Sequence, residues 1–167
     1  MKAIRITKMI AVLLLICFNS IKAQTTDAKL NQVELWKKFS GTWEGKLSED
    51  TFIIYENKPY GTGMETNIKI VTQGETVQEG KGLFGYDKES DKIIEATVLS
   101  GSDIICNAYW FTTEHKCKGI QFKYLSNPES SVLKWEIEFK TPDIWVVTSI
   151  EDNKAVGIDT LYRVGMR

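Results

Sequence analysis

The chain has a single histidine, His115, and no Cys-x-x-Cys pair. A multi-histidine zinc site and a paired-thiolate metal knuckle are therefore both excluded. No apolar run approaches the roughly 20 residues that a membrane-spanning helix needs; Met9 to Phe18 covers ten. There is no excess of positive charge either, with 21 Lys and Arg against 22 Asp and Glu. That balance argues against a nucleic-acid partner, because such proteins concentrate basic charge. No linker or low-complexity stretch breaks the chain into parts.

What is present begins with a leader. Lys2, Arg5 and Lys8 precede the apolar run Met9–Phe18, and Ile21-Lys22-Ala23 places a small residue after it. This order predicts a signal peptide over residues 1–23, cleaved near Ala23, and export to the periplasm or beyond. Cys17 follows Leu14-Leu15-Ile16, but lipid attachment wants a small residue where Ile16 stands, which argues against an anchor. Removing 23 of the 167 residues leaves 144, enough for one domain with its own core. Four basic residues leave with the leader, so 17 basic face 22 acidic side chains and the net charge of residues 24–167 is −5.

Cys106 and Cys117 lie in the expected domain, in a compartment that permits disulfides. A hairpin turn at Thr112–His115 would offset the two by four residues, about 13 Å along the strands, and bridged Cα atoms lie within about 7 Å. A turn centred on Phe111-Thr112 would set them opposite each other, although those residues suit turns poorly. A bridge and a pair of core-packing thiols both stand as readings.

Thr25 to Phe39 reads as a helix, with Thr25 or Thr26 as cap and Leu30, Val33, Leu35, Trp36 and Phe39 gathered towards one face. After Gly41 the period changes to two. Leu133-Lys134-Trp135-Glu136-Ile137-Glu138-Phe139-Lys140 alternates without a break, so one face is dry and the other wet. Further strands are expected at about 41–47, 51–56, 65–72, 75–84, 92–99, 104–111, 120–124, 144–150 and 156–164. Turn clusters such as Lys58-Pro59-Tyr60-Gly61, Gln73-Gly74 and Glu151-Asp152-Asn153 separate them. About ten consecutive antiparallel strands favour closure into an up-and-down β-barrel, which removes exposed edges. The expected fold is thus all-β, with a short N-terminal helix beside one open end of the barrel.

Three motifs occur in order: Gly41-Thr42-Trp43-Glu44-Gly45, Gly82-Leu83-Phe84-Gly85-Tyr86-Asp87, and Thr160-Leu161-Tyr162-Arg163-Val164. Together they resemble a family of bacterial lipocalin-like (calycin) domains of unknown function, written G-T-W-x-G, G-x-x-G-Y-D and a terminal Y-x-R. Fatty-acid-binding proteins and nitrobindin-type barrels share the G-x-W opening. The chain departs from the family pattern in having Tyr162 and Arg163 adjacent. The resemblance implies that Gly41, Trp43 and Arg163 close the barrel, the indole plugging its base and the guanidinium lying over the ring.

Other constellations fail on context. Gly80-Lys81-Gly82-Leu83-Phe84-Gly85 matches G-x-G-x-x-G, but no helix follows, so its glycines mark strand bends rather than a dinucleotide loop. Nitrobindin-type barrels hold haem through a histidine, yet His115 sits in the polar segment Thr113-Glu114-His115-Lys116, unlike an axial ligand in an apolar cavity. Glu49-Asp50, Glu136/Glu138 and Glu151-Asp152 fall in turns or on a wet face, where nothing tunes them for acid–base work. No cofactor and no catalytic constellation are expected.

The dry face remains. Trp110, Phe122, Tyr124, Trp135, Ile137 and Phe139 are the expected lining of an interior cavity, with Thr97, Asn107 or Tyr124 available for hydrogen bonding. In a roomy barrel they would bind a small apolar or amphipathic molecule; in a tightly filled one they are ordinary core. The second case leaves an interaction module that meets another envelope or secreted protein through end loops, Tyr55 to Met64 foremost. A cavity of about 300 Å³ or more separates the two readings.

Overall fold

The computed structural model of the protein describes residues 29–122 and 133–165. The chain enters through a short helix, α1 (Gln32–Trp36), and a 3-10 turn at Lys37–Phe39. The first five strands are β1 (Gly41–Ser48), β2 (Thr51–Tyr60), β3 (Gly63–Thr72), β4 (Glu75–Asp87) and β5 (Lys92–Leu99). The next five are β6 (Ile104–Phe111), β7 (Lys116–Phe122), β8 (Leu133–Thr141), β9 (Ile144–Glu151) and β10 (Lys154–Arg163). Each pairs antiparallel with its sequence neighbour, and β1 pairs with β10, so the sheet closes into a barrel. The closing register sets Trp43 opposite Arg163 and Gly45 opposite Leu161.

Period-two patterning explains the wall. In β8, Trp135, Ile137 and Phe139 turn inward, while Lys134 and Glu136 meet water. Outward charges pair across strands, as in Lys118–Glu136 at 3.8 Å, and such exposed pairs contribute little. Turn chemistry sets the register. Gln73-Gly74 and Asp152-Asn153 all have positive φ, the requirement of a two-residue type I′ hairpin turn, whose twist matches that of the strands.

The helix is shorter than its apolar spacing predicts. Asn31 caps it, its side chain accepting from Glu34 N–H at 3.2 Å, and α1 runs only from Gln32 to Trp36. The expected cap at Thr25 or Thr26, like the leader, lies outside the described residues. Side-chain hydrogen bonds tether α1 to the barrel. Gln32 donates from Nε2 to Phe111 O at 3.1 Å and accepts Phe111 N–H at 2.7 Å, acting as an extra strand partner for β6.

One other expectation is corrected. Lys58-Pro59-Tyr60 belongs to β2 rather than to a turn, and the reversal falls at Gly61-Thr62. Pro59 is one residue from the strand end, where a missing N–H costs the ladder little. Of the two readings left open for Cys106 and Cys117, free thiols are what the structure shows. Cys106 pairs in register with Phe122 and Cys117 with Phe111, a five-residue offset. An odd offset puts them on opposite faces of the sheet, Cys117 in the core and Cys106 on the outer wall.

One end is sealed by aromatics. Trp36, Phe39, Trp43, Phe111, Phe139 and Trp145 are all buried there, with Phe39 at 4.6 Å from Trp36 and 4.8 Å from Phe139 between ring centroids. Trp43 is wholly buried and donates its indole N–H to Phe39 O at 2.8 Å, an oxygen that also accepts from Asn57 Nδ2. Among the described residues no helix is long and apolar enough to cross a membrane.

Candidate functional site

Above this seal the barrel is not filled. A cavity of about 370 Å³ runs along its interior. Trp36 and Phe39 form the helix end of its lining; Tyr55, Met64, Phe84, Trp135, Ile137 and Trp145 form apolar walls. Its polar lining consists of Asn57, Glu95, Thr97, Asn107, Tyr109, Gln121, Ser149 and Asp159. Two of these are acids, and among the described residues no Lys, Arg or His lines the cavity.

Glu95 is the centre of the polar group. It projects inward from β5 and is only 5% exposed. Three donors converge on its carboxylate: Thr97 Oγ1 on one oxygen, and on the other Asn107 Nδ2 at 2.7 Å and Tyr109 OH at 2.9 Å. The register sets Asn107 directly opposite Glu95, so the cross-strand pair delivers the amide. Charge-assisted bonds of this kind are about twice as strong as neutral ones. Gly82, on the neighbouring β4, leaves the room, since a Cβ there would collide with Thr97 and Thr66 and crowd Glu95.

The surroundings feel this charge. Burial, then the charge and hydrogen bond of Glu95, push the Tyr109 phenol well above its ordinary value. Burial, followed by the charges of Glu95 and Asp159, pushes up that of Tyr55. Both phenols stay neutral donors. Because Asn107 spends its amide on Glu95, its Oδ1 is left buried without a protein partner. Thr66 Oγ1, Trp36 Nε1 and Trp145 Nε1 are buried in the same condition. Buried polar atoms are usually satisfied, and three of these four residues, Trp36, Asn107 and Trp145, line the cavity.

Of the expected lining residues, Trp135 and Ile137 face the cavity. Phe139 packs in the seal, stacked on Phe111 at 6.5 Å. Trp110 and Phe122 are corrected: register pairs Trp110 with Lys118 and Phe122 with Cys106, alternate to Asn107, Tyr109 and Gln121, which line the cavity. Both therefore turn to the outer wall, where Lys92 Nζ lies 4.8 Å over the Trp110 ring. A one-residue difference in register exchanges the faces. Tyr124 lies outside the described residues. Thr97 and Asn107 face inward as hydrogen-bonding groups.

Trp43 does not line the cavity; it belongs to the seal. Arg163 lies over its ring at 4.2 Å. Gly41, at φ +110°, brings the backbone so close to Arg163 that a Cβ would strike the guanidinium. His115 is exposed in the β6–β7 turn, and no group of three metal-ligating side chains occurs among the described residues.

Glu95, Asp159, Tyr55 and Tyr109 are among the cavity residues that sequence reasoning missed. In Ile93-Ile94-Glu95-Ala96-Thr97-Val98 the alternation assigns Glu95 to a wet face as readily as to a dry one. Ala96 and Val98 in fact face out and are exposed. Only barrel closure reveals which side is inside. No protein-family model and no curated protein matches the chain.

Proposed function

We propose that the protein holds a small apolar or amphipathic molecule inside its barrel, without converting it chemically. The cavity of about 370 Å³ carries this reading, since it falls within the range of about 300–1,000 Å³ typical of ligand sites. A barrel working only through its end loops would have no use for such a space. Apolar walls drive association at about 25 cal/mol per Å² of ligand surface buried, before the costs of binding are subtracted. The few polar groups would orient the guest. Membership of the lipocalin-like family, carried by the Gly41–Gly45, Gly82–Asp87 and Tyr162-Arg163 motifs, belongs to the same reading. So does export, carried by the basic start and apolar run of the leader.

Native mass spectrometry of protein purified from its own host, followed by organic extraction, tests this. The expected result is a stoichiometric small molecule that is lost on Trp135→Ala. A protein that stays empty and binds nothing across a panel of lipids, amines and porphyrins overturns the reading.

A further inference from the structure

We infer that the guest is a cationic amphiphile: a protonated amine on an apolar body, with its ammonium held beside Glu95 and Asn107. This rests on the reading of the cavity as a ligand site and adds the chemistry of the ligand. Among the described residues the cavity lining carries two carboxylates, Glu95 and Asp159, and no side-chain cation. A carboxylate guest would bring a like charge into a space whose described lining has nothing to neutralise it, and moving an unpaired charge out of water is costly. An ammonium reverses that sign.

The unused hydrogen-bonding capacity beside Glu95 has the same bias. Thr97, Asn107 Nδ2 and Tyr109 are donors already committed to the carboxylate. Asn107 Oδ1, buried and without a protein partner, is an acceptor lying next to it. An –NH₃⁺ group has three donors and no acceptor, which complements an unpaired acceptor beside a carboxylate. Aromatic faces in the lining, Tyr55 and Trp135 among them, favour a cation further. Trp36 and Trp145 also have indole N–H groups without a protein partner, but these are neutral donors at the helix end and bring no positive charge. Opposite charge, an unpaired acceptor and aromatic walls thus coincide in one cavity.

The experiment titrates the full chain with decylammonium, decanol and decanoate, each below its micellar concentration, followed by tryptophan fluorescence and calorimetry. The ammonium should bind at least about tenfold tighter than the alcohol, and the carboxylate weaker than the alcohol. Glu95→Gln should bring the ammonium to within about threefold of the alcohol while leaving the alcohol within about threefold of its original affinity. Glu138→Gln, on the outer wall, should change none of the three. Should Glu95→Gln not fold, the ranking of the three probes on the unaltered protein, with Asp159→Asn as second variant, decides the matter. Equal binding of ammonium and alcohol, a preference for decanoate, or an ammonium preference untouched by both cavity variants would each overturn the cationic assignment and leave the cavity reading standing. Failure of all three probes to bind would overturn both.

Discussion

The guanidinium of Arg163 lies 4.2 Å over the indole of Trp43, its direct partner across the seam that closes the barrel. The same side chain donates to the carbonyls of Ser40, Lys38 and Pro142 and pairs with Asp143 at 3.0 Å. One residue on the last strand thus ties together the first strand, the end of the helical entry and the β8–β9 turn. Arg163→Ala leaves several carbonyls without a donor and uncovers the ring, and should cost about 2–4 kcal/mol of unfolding free energy. Arg163→Lys should recover only part, because a point ammonium cannot serve the same fork of acceptors. Urea unfolding of the two variants checks both statements.

Gly41→Ala should destabilise through the same contact. Its φ of +110° strains any L side chain, and the new methyl would strike the Arg163 guanidinium. A loss of about 1–3 kcal/mol is expected. Combined with Arg163→Ala, the loss should be smaller than the sum of the single effects, since the two residues touch. A double-mutant cycle measures this.

The two cysteines of the barrel should differ in reactivity. Burial pushes the Cys117 thiol up, away from thiolate, whereas Cys106 sits half-buried on the outer wall. Because the thiolate is the nucleophile, iodoacetamide at neutral pH should label Cys106 in the native protein and Cys117 only after denaturation. Peptide mapping by mass spectrometry distinguishes them. A disulfide-linked peptide in the non-reduced digest would contradict the register.

Alkaline pH should weaken the fold through Tyr55 and Tyr109. Burial raises both phenols above their ordinary value, so in the folded state they keep protons that the unfolded chain releases. Stability is unaffected by these groups below about pH 10, the ordinary tyrosine value, and falls as pH rises beyond it. Urea midpoints measured between about pH 8 and 11 should decline at the upper end. Tyr109→Phe should flatten that decline at some cost near neutrality, where Glu95 loses a donor.

Guest binding should separate the two tryptophans that sequence grouped together. Trp135→Ala removes a wall of the cavity and should weaken binding of an amphiphilic probe by about tenfold or more, given the apolar area lost. Trp110→Ala removes an outer-wall residue covered by Lys92 and should leave affinity unchanged. Calorimetric titration of both variants reads the difference.

The sealed base was largely legible in the sequence. The motif resemblance singled out Gly41, Trp43 and Arg163, and the structure puts a close backbone approach, a large plug and a multidentate donor at those positions. Strand number and most turns were legible too, because alternation and turn chemistry are local. β8, with charges and aromatics in strict alternation, declares its faces. β6 does not: Ile104-Ile105-Cys106-Asn107-Ala108-Tyr109-Trp110 is apolar on both sides. Its inward face, Asn107 and Tyr109, is the more polar one. The local pattern therefore misassigned Trp110; on β7 the alternation is clear, but its apolar face, Ile120 and Phe122, is the outer one while Gln121 faces inward.

Local periodicity by itself determined that this chain forms a ten-stranded antiparallel wall with a short helix at its entrance, since backbone geometry reads sequence over only a few residues. Which side of that wall faces inward, that the interior stays partly empty, and that Glu95, Asn107 and Tyr109 meet there were decided only when β10 joined β1. Closure couples residues far apart in the chain through one shared volume, and the sign of charge within that volume is a property of the ring as a whole.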